Sequence, residues 1–208
     1  MRVLVACEMS GRVTNEFRKL GHEAYSCDIL PTEGNPDWHI QDDVLKHLDD
    51  GWDLMIGHPP CTFISYAGTR ARNDKGRVFK RLEALDFFAK LWEANIPKIC
   101  LENPKSVASP VIAKYSQEIQ PYYFGDAAMK TTWLWLKGLP KLVPTNNVGK
   151  PSPTYIEKSG KRRYFADAQS GFSKNSRIER SRTFVGIAKA MAEQWGGDIR
   201  KEKENVPS

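Results

Sequence analysis

An α/β fold with a mostly parallel sheet is what this sequence predicts, on two observations. Short apolar runs of strand length recur along the chain, at Val3 to Ala6, Ala24 to Cys27, Trp52 to Ile56 and Ile96 to Leu101. Between them lie segments whose apolar residues repeat at helical spacing. Strands alternating with helices in this way describe a parallel sheet with helices packed on it.

Taken in order, Val3 to Ala6 reads as the first strand. Arg12 to Leu20 follows as a helix with Val13, Phe17 and Leu20 on one face, and Gly21 stops it. The second strand, Ala24 to Cys27, ends in Asp28, and the polar, proline-containing stretch from Pro31 to Asp42 is expected to be loop. After the strand Trp52 to Ile56 comes a helix from Phe79 to Trp92, with Leu82, Leu85, Phe88, Ala89 and Trp92 at helical spacing, and then the buried strand Ile96 to Leu101. Val111 to Tyr115 is expected as a short helix, Tyr122 to Phe124 and Thr132 to Leu136 as two further strands, and Thr183 to Trp195 as the closing helix.

At 208 residues the chain suits a single domain, here read as residues 1–197, carrying a short basic insertion at about 138–182 and ending in a charged tail, 198–208, expected to be disordered. The sequence contains no internal repeat. A net charge of +6 favours a polyanionic partner such as nucleic acid. Four cysteines far apart, with no Cys-x-x-Cys pair and only four histidines, argue against zinc and against a disulfide framework. Nothing in the sequence has the length of a membrane span, so the expectation is a soluble, cytoplasmic protein without a metal.

The stretch around which the rest is organised is Gly57 to Ser65, GHPPCTFIS. Two prolines end the preceding strand and stiffen the loop, so Cys61 is either a displayed nucleophile at the carboxyl end of the sheet or a structural thiol behind a turn. Other candidates fall at strand ends on the same side. Glu8, Ser10 and Gly11 lie in the first loop, CEMSG, where small residues admit a ligand to a helix amino terminus. Asp28 is placed to accept ribose hydroxyls and Asp43 an adenine amino group; each is also an ordinary turn or cap residue. Glu102, in LENP, is a carboxyl that partial desolvation could leave holding or sharing a proton near neutral pH. The interleaved Lys161, Arg162, Arg163, Lys174, Arg177, Arg180 and Arg182 with Tyr155, Tyr164, Phe165 and Phe172 make either a phosphate-tracking segment or a solvated loop.

These residues resemble the DNA cytosine carbon-5 methyltransferases, in particular the short, divergent members found in bacteriophage genomes. GHPPCTFIS is similar to that family's Pro-Cys catalytic loop, LENP to its Glu-Asn motif, Arg81 to Asn103 to the helix and strand leading into it, and Arg182 to Trp195 to its closing helix. The resemblance implies a Rossmann-like S-adenosylmethionine-dependent methyltransferase fold, with DNA as substrate. It implies Cys61 as nucleophile, Glu102 acting on ring nitrogen 3, and Asn103 fixing the loop. Glu8, Ser10, Gly11, Asp28, Asp43 and Pro60 would lie at the cofactor, and Ser65 with Lys161, Arg162 and Arg163 at the nucleic acid.

The departures are specific. The family's Phe-x-Gly-x-Gly is here reduced to Gly11, with Glu8 intruding. Its Gln-x-Arg-x-Arg falls on Ala128, Lys130 and Thr132, so Lys130 stands where one arginine is expected and the other is missing. The recognition segment is short, so selectivity is either low or supplied by a protein partner. Two other classes therefore stand beside DNA methylation: a catalytically silent DNA- or partner-binding protein of this fold, and an enzyme acting on RNA or a free pyrimidine nucleotide.

Overall fold

The computed structural model describes residues 1–67, 76–160, 162–164 and 181–199. Its frame is a seven-stranded sheet formed by β1 (Arg2–Ala6), β2 (Glu23–Cys27), β3 (His39–Ile40), β4 (Leu54–Gly57), β5 (Lys98–Asn103), β6 (Gln117–Ile119) and β7 (Thr132–Lys137). The strand order is β3-β2-β1-β4-β5-β7-β6. The first five strands run parallel, whereas β7 pairs antiparallel with both β5 and β6. One reversed strand inserted beside β5 in a parallel sheet is the Rossmann-like methyltransferase arrangement.

Alternation along the strands sorts the core into two layers. Val3, Val5, Leu54, Ile56 and Cys100 pack on one side with Val13 and Phe17 of α1 (Arg12–Lys19). Leu4, Ala6, Met55, Ile99 and Leu101 point the other way, onto Phe88 and Leu91 of α2 (Arg77–Trp92) and Ala108 of α3 (Ala108–Val111). The first layer is completed by Ile187, Ala188 and Met191 of α4 (Val185–Met191), which continues as a π-helical turn to Gly196 and adds Trp195. Each fully buried Val, Leu, Ile, Phe or Met side chain among them contributes roughly 1.5–3 kcal/mol. The structure thus has helices on both faces of the sheet, with the carboxyl ends of β1, β2, β4 and β5 gathered at one edge.

Three local expectations are corrected. Tyr122 to Phe124 is not a strand. Pro121 lacks the NH a ladder needs and its fixed φ starts a 3-10 turn, Pro121–Tyr123, so the sixth strand lies earlier, at Gln117–Ile119. The helix placed at Val111 to Tyr115 runs instead over Ala108–Val111. The loop from Pro31 to Asp42 contains a 3-10 turn, Pro36–Trp38, and the two-residue strand β3. Within the basic insertion, β8 (Tyr155–Ile156) and β9 (Arg162–Arg163) form an antiparallel pair. No helix among the described residues is long and apolar enough to cross a membrane.

Candidate active site

Parallel register decides what stands beside the cysteine loop. Gly57 at the end of β4 pairs with Leu101 of β5, so the next residues along, His58 and Glu102, emerge side by side. Gly57 is needed there, because a Cβ would come within 2.7 Å of the Leu101 side chain. The His58 NH still donates to the Ala6 carbonyl at 2.9 Å, after which Pro59 and Pro60 end the ladder. Asn103, fully buried, donates from Nδ2 to the Pro59 carbonyl at 2.8 Å and so ties the loop to β5. Cys61 follows, half-buried, and its carbonyl accepts from the Ser65 NH at 2.9 Å in a compact turn.

Glu102 is surrounded by donors. His58 Nδ1 lies 3.4 Å from its Oε2, the Lys130 ammonium acts on it through space, and Thr132 adds a hydrogen bond. Burial alone would raise this carboxyl; Lys130, His58 and Thr132 override it and hold the pKa down at about 2 instead of 4.5. The expectation that Glu102 itself holds a proton near neutral pH is therefore corrected. Desolvation, the effect the sequence suggests, is outweighed by partners from the end of β4, the segment leading into β7 and β7 itself. Lys130 thus reaches the carboxylate although it lacks the planar fork of an arginine.

The first loop behaves differently from a bare glycine-rich turn. Glu8 is 4% exposed and turned into the start of α1, where its carboxylate accepts from the Val13 NH at 2.7 Å, the Thr14 NH at 3.2 Å and the Thr14 hydroxyl at 2.8 Å. Ser10 Oγ donates to Glu8 at 3.3 Å and accepts from the Arg12 NH at 3.4 Å. The free NH groups of the α1 amino terminus are thereby met by the chain's own side chains. Gly11 has φ +66°, and a Cβ on it would lie 3.2 Å from the Gly34 Cα, so the following loop closes directly over it. Glu33 of that loop is held by Arg182 in a bidentate pair at 2.7 and 3.0 Å, and Arg12 reaches the Thr183 carbonyl at 2.9 Å.

Asp28 and Asp43 converge beyond the ends of β1 and β2. Both act on the thiols of Cys7 and Cys27; burial is the larger cause there, and Cys27 is pushed up to about 11. Asp28 Oδ1 accepts from the Leu30 NH at 2.9 Å and Asp43 Oδ1 from the Leu45 NH at 3.0 Å, leaving one oxygen on each without a partner among the described residues. Ile29, 72% exposed, stands beside them. Two carboxylates with spare acceptor oxygens next to an apolar surface fit the ribose diol, amino group and ring of an adenosine.

The remaining candidates are scattered. Pro60 is exposed and lines a shallow hollow of about 240 Å³ with Phe63, Lys80, Glu83, Ala84 and Phe87, on the α2 side. Ser65 is only 6% exposed and bridges to Ser106, so the surface next to it is presented by Tyr66, which is 44% exposed. Arg162 and Arg163 lie on β9, with Arg162 exposed; Lys161, Lys174, Arg177 and Arg180 lie outside the described residues. The sequence gives His58 no role and marks Thr132 only as the place of a missing arginine. A histidine directly before Pro-Pro was the available signal for the first, while Thr132 reaches Glu102 only through the β5–β7 pairing.

No family model matches the chain, and no curated protein matches it. Among solved structures it is similar to a putative DNA modification methyltransferase encoded within an E. coli prophage, with 14% identity and a TM-score of 0.43, covering 76% of this chain and 56% of that one. It is also similar to the S. pombe Dnmt2 methyltransferase, with 16% identity and a TM-score of 0.48, covering 68% and 51%. A triple mutant of Spodoptera frugiperda DNMT2 gives 17% identity and a TM-score of 0.41, covering 76% and 60%. The chain spans between 51% and 60% of the length of these three proteins.

Proposed function

We propose that this protein methylates carbon 5 of cytosine in DNA through a covalent adduct on Cys61, with S-adenosylmethionine as methyl donor. The observation that carries the reading is the pairing of the Cys61 loop with Glu102 at the ends of two adjacent parallel strands, locked together by the Asn103 to Pro59 hydrogen bond. A rigid nucleophile beside a buried carboxylate is what addition to carbon 6 of a pyrimidine needs.

The cytosine leaves the base stack to reach the loop, as bases do in enzymes that modify them. Cys61 adds to carbon 6 as the thiolate. Glu102, ionised, faces the polar edge of the ring and accepts from its amino group, while Lys130 and Thr132 keep the carboxylate in place. S-adenosylmethionine supplies an electrophilic methyl group to carbon 5 when bound. Asp28 and Asp43 hold its adenosine half by accepting from the ribose hydroxyls and the adenine amino group, and Asn103 keeps Cys61 from drifting out of line. Basic residues on and around β9 lie along phosphates.

DNA containing 5-fluorocytosine tests this directly, because the fluorine at carbon 5 cannot leave as a proton does and the enzyme stays bound. With S-adenosylmethionine present, a complex stable to denaturing gels is expected from the native protein and none from Cys61→Ser, since serine is a far weaker nucleophile near neutral pH. Parallel arms with RNA and with the free nucleotide identify the substrate class. An adduct that persists in Cys61→Ser moves the nucleophile elsewhere, and none from the native protein on any substrate leaves a binding protein of this fold.

A further inference from the structure

Hydrogen bonding separates one of the four histidines from the others. His39 is engaged at both ring nitrogens, by Ser26 Oγ at 2.8 Å and the Leu30 carbonyl at 2.9 Å. His47 sits between Asp50 at 2.9 Å and Asp42 at 3.3 Å. His22 meets the Gly197 carbonyl at 2.9 Å and the amino terminus at 3.5 Å. All three are rings held at both ends, which is how a structural imidazole is satisfied.

His58 is held at one end only. Its side chain is 7% exposed, its Nδ1 faces Glu102 Oε2 at 3.4 Å, and its Nε2 is buried with no partner among the described residues. A buried ring nitrogen without a partner destabilises the fold, so what the ring contributes lies in its other nitrogen. Among the described residues that nitrogen addresses Glu102 alone. The backbone on either side is fixed, by the His58 NH on Ala6 and the Pro59 carbonyl on Asn103, so the ring is presented to the carboxylate by the same contacts that present Cys61.

A chemical need matches this placement. Glu102 is ionised at neutral pH, so it is an acceptor only and the hydrogen between the two groups belongs to Nδ1. Addition of sulfur to carbon 6 puts negative charge on the ring, and nitrogen 3 has to take up a proton that Glu102 does not carry by itself. We infer that His58 is a positioning residue that supplies, through Glu102, the proton taken up by ring nitrogen 3 when Cys61 adds to the pyrimidine. The inference rests on the adduct reading proposed above.

The step balances. With the ring charged, the form in which it acts on Glu102 through space, the Nδ1 proton passes to Oε2 as the Cys61 Sγ to carbon 6 bond forms, the carboxyl passes a proton to nitrogen 3, and neutral imidazole beside a carboxylate is left. After methyl transfer the carbon 5 proton leaves to water, its electron pair restores the ring double bond, and Cys61 departs as thiolate. Nitrogen 3 then returns its proton to His58 by the same route. Among the described residues, the charged and titratable groups around the pair are Lys130 and Cys100, both of which interact with Glu102, and Cys61 on the same loop.

The test measures the rate of adduct formation on 5-fluorocytosine DNA for native protein, His58→Asn and His58→Gly across the neutral range. Asparagine places an NH near the position of Nδ1 and keeps the hydrogen bond to Glu102, but it delivers no proton. His58→Asn is expected to form adduct roughly a hundredfold more slowly, the lower end of what a positioned acid contributes, and with a flattened pH dependence. Its circular dichroism and its affinity for S-adenosylhomocysteine are expected to match the native protein. Imidazole added to His58→Gly, which leaves a hole the size of the ring, is expected to restore the rate. Native rate and native pH dependence in His58→Asn overturn the inference while leaving the adduct chemistry standing. Absence of adduct from the native protein on DNA, RNA and nucleotide overturns the proposed function, and this inference with it.

Discussion

Replacing Glu8 with alanine attacks the fold at the residue that intrudes on the first loop. The carboxylate is 4% exposed and receives two backbone NH groups and one hydroxyl at 3.2 Å or less, with Ser10 slightly further away. Alanine leaves those donors buried at the start of α1. Loss of a cap costs about 0.5–2 kcal/mol, and hydrogen bonds to a charged group contribute about 1.5–3 kcal/mol, so a total of roughly 2–5 kcal/mol is expected. For a domain of this size that lowers Tm by roughly 4–20 °C. Urea denaturation followed by circular dichroism measures it, with Glu8→Gln as a partner variant that keeps one acceptor oxygen and loses about half as much. A cycle with Thr14→Val separates the hydroxyl contribution from the rest. If Glu8→Ala loses less than about 1 kcal/mol, the side chain does not hold the helix as described.

Glu102 predicts an acid dependence of stability. Its folded pKa, about 2, lies below the ordinary 4.5, so its contribution is complete above about 4.5 and is lost as pH falls towards 2. The size is on the order of 3 kcal/mol, and Glu102→Gln should flatten that limb in denaturation curves taken over this window. Asp28→Ala should weaken S-adenosylmethionine binding roughly tenfold to a hundredfold by calorimetry, because two ribose hydroxyls lose an acceptor; unchanged affinity in a folded variant removes Asp28 from the cofactor site. Replacing Lys161, Arg162 and Arg163 with serine should reduce the log-log salt slope of DNA binding by about 0.7–0.9 for each phosphate no longer neutralised, and an unchanged slope makes the stretch a solvated loop.

What the sequence determined by itself is whatever repeats locally. Val3 to Ala6 and Ile96 to Leu101 are legible as buried strands from their runs of apolar side chains, and α1 shows a helical period that its burial matches, whereas α2 buries Phe88 and Leu91 and leaves Leu82 of its expected face exposed. The Pro-Pro stop before Cys61 is equally local, since it acts through proline's own geometry. Where local signals are weak the sequence misleads: two residues suffice for β3, and Pro121 turns an aromatic run into a 3-10 turn.

The tertiary structure alone decided which groups meet. Glu8 read as an intrusion in a glycine loop, yet it binds α1 because the loop folds back on the helix it precedes. Glu102 read as a carboxyl raised by burial, yet it is ionised, because β4 delivers His58 from 44 positions away and β7 brings Lys130 and Thr132 alongside. Burial of a residue can be inferred from its neighbours in the chain. The charges and donors that set a buried group's protonation come from other strands, and only the register of the assembled sheet brings them within reach.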